Sequence, residues 1–568
     1  DDFITGTLLK VGPSQLRLDV RAQDTRSGQI VFSDKLEAES LQNIFGMVDS
    51  LTARIARTFL PNGSLPGAAP SIENASTSNI EAYRHYELAQ DFQRRYLMSD
   101  AIREDEEAIR LDPQFASVYQ HLAFLYGFIG DSRRAEENVK KVEQFQSRLP
   151  RREQLLFQSE VAFRSGDRKA ELQAFETLVS EFPRDSDSRS NFALQLSNNG
   201  QTDRALSVLH EALATEPKNE SLLNILGYVE AFKEDEKAAV QANDQYLALR
   251  PNDPNPWDTR GDIYFYFGKD DEALTNYRKV IELKPDFNAY DEYVKLFGVY
   301  ADQGKLALAD AAVQEYGRKT TPLGRLYLPV FEARLKQTHG DIDGALDSYK
   351  SAVSQLKTAG QERAAGFILR VAAGLSALAG KNSGFLTYAR QQKLHGEEFE
   401  AVAFLERIAG DQAGSDRDYQ QYATAHGQVS QYALDQERAI ADLLPSLARG
   451  DAQGTLATAG RIGDATAEMV WFAKGRAYLM QKNYADAESN LRRAVLANRI
   501  QFNPFYTRQQ VPLVGFLAHY CLGQVYEATG KRDQAVNEYQ TFLAHFENSR
   551  ATLPEVAAAR DGLKRLMP

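Results

Sequence analysis

The chain has 568 residues, of which 43% are hydrophobic, 10% aromatic and 25% charged, a composition that excludes a disordered or collagen-like polymer and calls for a large core. Its 78 acidic residues against 66 basic ones disfavour a phosphate backbone, and so nucleic acid, as the main partner. Cys521 is the only cysteine, which excludes intrachain disulfides and thiolate metal clusters.

The first 60 residues read differently from the rest. Phe3 to Val11 has the character of a strand and leads through Gly12-Pro13. Leu16, Leu18 and Val20 then alternate with Arg17, Asp19 and Arg21, the period of two that marks a strand with one buried face. Gln29 to Leu36 forms a third strand after a turn at Arg26-Ser27-Gly28. A helix follows from about Ser40, with Leu41, Ile44, Phe45, Val48, Leu51 and Ile55 on one face. Such a segment makes a thin core, which predicts the second half of a larger α/β domain. An opening on Asp1 rather than Met agrees with a piece of a longer protein. Residues 61–76 are a Pro/Gly/Ser/Asn-rich linker, in which Asn62-Gly63-Ser64 and Asn74-Ala75-Ser76 match glycosylation sites by composition alone.

An internal repeat dominates the remainder. Pro183, Pro217, Pro251 and Pro285 stand 34 residues apart, and between them lie paired amphipathic stretches at helical spacing. In the copy ending at Pro285, Trp257, Gly261 and Tyr264 share one face of the first helix, and Ala273, Tyr277 and Val280 one face of the second. Small residues recur where helix backbones approach, and aromatics fill the gaps between pairs. Earlier copies carry Leu88, Ala89, Phe92 and Ala101, then Tyr119, Leu122, Ala123 and Tyr126, then Phe175 and Leu178. The copies ending at Pro217 and Pro251 carry Phe192, Ala193 and Ala205, and Leu226, Gly227 and Ala239.

After Pro285 the period loosens through Tyr293, Leu296 and Tyr300 to Ala345, Tyr349 and Ala352. Residues 359–460 are Ala/Gly-rich helical segments with degenerate matches. Their most apolar window, Ala364 to Gly380, is interrupted by Arg370 and falls short of the roughly 20 residues that span a bilayer. Within 461–568 two good copies return, at Trp471, Gly475, Tyr478 and Ala487 and at Leu522, Gly523, Tyr526 and Ala535, separated by an extra stretch from Ile500 to Pro512. A last helix, Leu553 to Leu566, caps the stack.

This pattern resembles the tetratricopeptide repeat, with Arg260 standing where the motif has Leu. The resemblance implies a mostly α-helical solenoid of about eleven helix pairs, an array over 77–358 and a small α/β segment at its N-terminus. Asp2 to Leu8, Leu16 to Ala22 and Asp24 to Gly28 look like the latter half of the TolB amino-terminal-like domain. Tyr539 to Leu543 and Leu553-Pro554 look like the end of the repeat regions of bacterial eukaryotic-like serine/threonine kinases, notably acidobacterial ones. The same modules also follow winged-helix activators and nucleotide cyclases. No Gly-rich phosphate loop, His-Arg-Asp or Asp-Phe-Gly motif occurs in the chain, so any catalytic kinase domain would lie upstream of Asp1 and this chain is not itself an enzyme.

The eight histidines are scattered without metal-ligand spacing, and Cys521 sits where a small buried residue packs. Neither metal nor cofactor is expected. Binding is expected in the groove that the first helices of a repeat array line, at Asn224, Tyr228, Asp258, Asp262, Phe265 and Tyr266. The two aspartates would repel a peptide carboxylate, which predicts a basic or aromatic protein segment as the occupant. The expected function is non-catalytic recognition in a bacterial signalling protein such as a membrane Ser/Thr kinase. A winged-helix regulator, a cyclase or a subunit of an assembly is the alternative. Residence outside the cytoplasm would follow from a membrane kinase and residence inside it from the others.

Overall fold

The structure, a computed structural model, describes residues 2–13, 15–40, 43–59, 77–392, 394, 396–426, 429–462, 468–499, 511–546 and 553–567. The linker with its two Asn-x-Ser matches, Ile500 to Gln510 and His395 therefore lie outside the described residues. The chain divides into two compact units, Asp1–Leu125 with Arg134–Gln154 and Tyr126–Arg133 with Leu155–Pro568.

The first unit opens with three antiparallel strands in the order β1 (Asp2–Lys10), β2 (Leu16–Asp24) and β3 (Ile30–Ala38). The alternation along β2 sets its register: Leu18 faces Leu8 on one side and Leu36 on the other. The helix Ile44–Phe59 follows, and Leu16, Leu36, Ala38 and Met47 form the small core between it and the sheet. Arg54 anchors the helix to β3 by pairing with Asp34 at 2.9 Å. At its other end Phe45 meets the ring of Tyr83, in the first repeat helix Ile80–Arg94, edge-on at 5.7 Å.

Thirteen helix pairs follow among the described residues, from Ile80–Arg94 with Met98–Leu111 to Pro512–Ala528 with Arg532–Ala544, and the helix Pro554–Leu566 closes the series. Asp167, Asp235, Asp341, Asp451 and Asn483 each cap the N-terminus of a second helix, accepting from a backbone N–H one turn in. In two repeats the aromatic at the fourth motif position ties the pair to the preceding proline: Trp257 donates to the Pro251 carbonyl at 2.9 Å, and Tyr119 to that of Pro113 at 3.0 Å. A methyl group on Gly261 would stand 2.4 Å from Tyr277 Cε1, and one on Gly523 2.5 Å from Tyr539 Cδ1. Close helix approach therefore demands glycine there. Arg260, the departure from the motif, reaches the second helix of the preceding pair and donates to Asn243 Oδ1 at 2.8 Å.

Most turns within a pair place a glycine at positive φ, as at Gly268 (φ 76°) and Gly530 (φ 73°), but Glu234 (φ 64°) and Lys482 (φ 60°) hold that conformation with a side chain. A Cβ there is strained by about 1 kcal/mol beyond glycine. Glu234→Gly and Lys482→Gly are each expected to raise the melting temperature, with a gain of about 0.5–1 kcal/mol in urea titrations.

Residues 359–460 hold three regular pairs, more than the motif matches implied, because ion pairs replace the apolar signature. On the helix Glu397–Ile408, Glu397 pairs with Arg363 at 2.9 Å, Glu398 with Lys357 at 2.9 Å and Glu400 with Arg370 at 3.2 Å. Arg370, which broke the apolar window, lies 3.6 Å from the Phe404 ring centroid and also reaches Glu437 at 3.4 Å. Among the described residues no helix is long and apolar enough to cross a membrane.

The second unit also contacts itself across long sequence separations. Tyr327 donates to the Gly130 carbonyl at 2.7 Å, and Gln361 to Asp131 Oδ1 at 2.8 Å. Arg499 donates to the Phe265 carbonyl at 3.0 Å and His545 meets that of Thr338 at 3.3 Å. These partners lie between 197 and 234 residues apart, which is roughly six to seven repeats of 34 residues. Within the second unit the repeats wind into a coil whose successive turns touch.

Candidate functional site

The 34-residue period stacks equivalent positions of consecutive first helices, and this brings four of the six expected groove positions, Asn224, Tyr228, Asp258 and Asp262, into one polar cluster, while Phe265 and Tyr266 pack in separate apolar clusters. Asn224 and Tyr228 come from the helix Glu220–Phe232, and Asp258, Asp262, Phe265 and Tyr266 from Pro254–Tyr266. Thr259 donates to Asn224 Oδ1 at 2.7 Å, and the Tyr228 hydroxyl donates to Asp262 Oδ2 at 2.9 Å. Tyr277, on the helix Asp270–Leu283, donates to the other oxygen of Asp262 at 2.8 Å.

At the centre stands a residue that the sequence reading did not single out. Lys295, on the helix Glu292–Asp302, donates to Asp262 at 2.9 and 3.0 Å and also to Asp258. A fourth ionisable group, Glu292, is buried beside them with no hydrogen-bond donor at either oxygen. Burial, and then the charge of Asp258, raises the Glu292 carboxyl well above the usual carboxylate range. The same two causes raise Asp262. Burial pulls Lys295 down, but the surrounding carboxylates outweigh it and hold the ammonium above its ordinary value.

None of the six positions is more than 8% exposed. The basic and aromatic groups that meet them belong to the chain. Lys295 answers the aspartates, and the Arg499 guanidinium lies 5.1 Å from the Phe265 ring centroid while it pairs with Asp270 and Asp302. Tyr266 packs edge-on against Phe232 at 5.9 Å and Phe267 at 5.3 Å. Of the six, Tyr266 borders an open cleft of about 280 Å³, lined also by Phe267, Arg492, Leu496 and Arg499.

The sequence held a signal for Lys295, which follows Asp262 by 33 residues and Asp258 by 37, one repeat on along the same face. Arg499 follows Phe265 by 234 residues, and no local pattern connects them.

The other reactive side chains are packing groups. His85 bonds Glu104 and His519 bonds Glu538, each at 2.6 Å and each across 19 residues, the same link between first and second helix in two distant repeats. His545 stacks on Phe516 with centroids 3.8 Å apart, and burial lowers its pKa to about 4. Cys521 is buried, which pushes its thiol up to about 12 and disfavours the nucleophilic thiolate. Among the described residues no group of three His, Cys, Asp or Glu could hold a metal ion.

Models of the tetratricopeptide repeat match residues 191–254 and 255–287, so the chain carries such repeats, and the second match contains Asp258, Asp262 and Tyr277. No curated protein matches the chain. Among solved structures, a tetratricopeptide repeat protein from Parabacteroides merdae is 16% identical with a TM-score of 0.30, the match covering 50% of this chain and 99% of that one. The Cut9–Hcn1 hetero-tetramer of the APC/C is 14% identical with a TM-score of 0.26, covering 86% of this chain and 97% of that one. The P58(IPK) repeat domain is 15% identical with a TM-score of 0.21, covering 67% of this chain and 99% of that one.

Proposed function

We propose that this chain is a non-catalytic protein–protein interaction scaffold, the regulatory region of a bacterial signalling protein such as a membrane Ser/Thr kinase. The tandem repeats carry the scaffold reading, since stacked helix pairs present an extended surface to peptides and partner helices. The kinase context rests on the resemblance of the strand segment and of the last repeats to the regions that accompany such kinases.

The groove positions Asn224, Tyr228, Asp258, Asp262, Phe265 and Tyr266 enter this proposal in a changed role. With Asp258 and Asp262 paired to Lys295 and Phe265 lying under Arg499, they fix the inner face of the array, and a partner reaches that face beside Tyr266, at the cleft. A single purified partner should bind the chain saturably in calorimetry, and Tyr266→Ala should weaken that binding at least fivefold. Saturable binding untouched by Tyr266→Ala would remove the cleft from the proposal, and the absence of any saturable protein partner would sink the scaffold reading itself. The gene around this sequence should also encode a kinase fold. A winged helix or a cyclase domain there would replace the signalling assignment.

A further inference from the structure

The turn that leads into the helix Glu292–Asp302 is strained. Asn288 (φ 44°), Ala289 (φ 57°) and Tyr290 (φ 73°) follow one another in the left-handed region, each with a side chain that disfavours it. Phe287, fully buried, anchors the near end of the turn, and Glu292 opens the helix at the far end.

Glu292 is the side chain this turn delivers into the charged cluster. Asp262 accepts from Tyr228, Tyr277 and Lys295, and Asp258 accepts from Lys295. Among the described residues neither oxygen of the buried Glu292 meets a donor. Its carboxyl lies within hydrogen-bonding reach of Asp258 instead. Two ionised carboxylates in contact away from water repel, and one ammonium among three acids does not offset this. A proton on one of the two turns their contact into a hydrogen bond. Asp258 has the ammonium, so the proton belongs to Glu292, whose acid form burial also favours.

The remaining polar groups around that helix act elsewhere. Tyr228 and Tyr277 donate to Asp262. Lys319 and Glu315, on the helix Leu306–Lys319, act on Tyr293, and Arg334, on the helix Leu328–Thr338, acts on Asp291. At its far end the helix Glu292–Asp302 carries the carboxylate that accepts from Arg499 of another coil turn.

We propose that this arrangement is a proton-controlled hinge: Glu292 holds a proton in the folded chain and donates it to Asp258, and loss of that proton to solvent expels Glu292, relaxes the left-handed turn and loosens the hold of Arg499 on Asp302. The hinge joins the proton content of the array to the contact between its coil turns, whatever partner the array binds.

The test uses the whole chain carrying Glu468→Gln, so that this second raised carboxyl does not titrate in the same range. At pH 7.5 the infrared absorption of un-ionised carboxyl should fall by one group in Glu292→Gln. It should fall equally in Asp258→Asn, although Glu292 is still present, because the new amide donates to it and lets it ionise. Between pH 7.5 and 9.5 hydrogen-exchange protection in peptides spanning 286–302, corrected for intrinsic rates, should drop about tenfold or more, and Glu292→Gln should retain it. Coupling is reciprocal, so Arg499→Ala should move the loss of the Glu292 carboxyl signal about half a pH unit or more toward lower pH. A carboxyl absorption unchanged by Glu292→Gln would show Glu292 ionised and overturn the proposal. So would a loss of protection that Glu292→Gln shares, or a titration that Arg499→Ala leaves in place.

Discussion

Replacing Lys295 by methionine should cost the second unit up to about 3–5 kcal/mol, the loss expected when the cation of a buried ion cluster is removed and its carboxylates lose their counter-charge. Among the described residues Lys295 is the only cation that donates to Asp258 and Asp262, and all three side chains are buried. Methionine fills much the same volume, so the penalty is electrostatic and not a cavity effect. Two further measurements separate it from simple misfolding. Adding Asp262→Asn to Lys295→Met should recover a substantial part of the loss, a coupling visible in a double-mutant cycle. Acid should also help the single variant, because protonating the carboxylates removes their need for a counter-charge. Hydrogen exchange in peptides spanning 254–302 reads the effect locally, which matters in a chain that need not unfold in one step. A loss below 1 kcal/mol at pH 7.5 would mean that the carboxylates take up protons, or are screened by water, once the cation is gone.

The second large effect concerns pH. Glu468, in the first turn of the helix Glu468–Met480, accepts a hydrogen bond from the Val511 N–H at 2.8 Å. Burial raises its carboxyl to about 8, with the Val511 hydrogen bond and the charge of Arg334 only partly opposing. A carboxyl raised on folding contributes its full stability below its unfolded value, near 4.5, where both states hold the proton. Above that the unfolded chain ionises first, and stability falls until the pH passes about 8. Glu468→Gln keeps an acceptor for Val511 and cannot ionise. It should therefore match the wild type near pH 4.5 and exceed it by roughly 3–5 kcal/mol at pH 8.5. Urea titrations across that range measure the difference. A constant offset between the two proteins would show that Glu468 does not titrate in this window.

What the sequence disclosed depended on how far apart the interacting residues lie. The strands and the first helix were legible because one strand's alternation and one helix's apolar stripe are local properties, as the register of Leu18 between Leu8 and Leu36 bears out. The repeats were legible because close packing at Gly261 against Tyr277 and at Gly523 against Tyr539 leaves a small residue at a fixed spacing. Between 359 and 460 the same architecture was harder to read, since the half-buried Arg363 and Arg370 pair with glutamates of the neighbouring helix and interrupt the apolar pattern. At the candidate site the six residues could be named from the repeat register, but not the neighbours that Asp258, Asp262 and Phe265 already have in Lys295 and Arg499. Lys295 could have been reached by stepping one repeat along from Asp262, whereas Arg499 belongs to another turn of the coil.

Those contacts between coil turns bear on how the protein folds. An ordinary solenoid is nearly one-dimensional: each repeat feels its neighbours, and folding spreads from any nucleus by closing short loops. Here Arg499 must find Phe265 and Asp302, and His545 must find Thr338, across about 200 residues of intervening chain. Such pairings form only after the intervening repeats are built, because their loop-closure entropy is otherwise unrecovered. Assembly is then expected in two kinetic stages, fast local stacking followed by slow annealing of one turn onto the next. Arg499→Ala should slow or erase the second stage and leave the first unchanged.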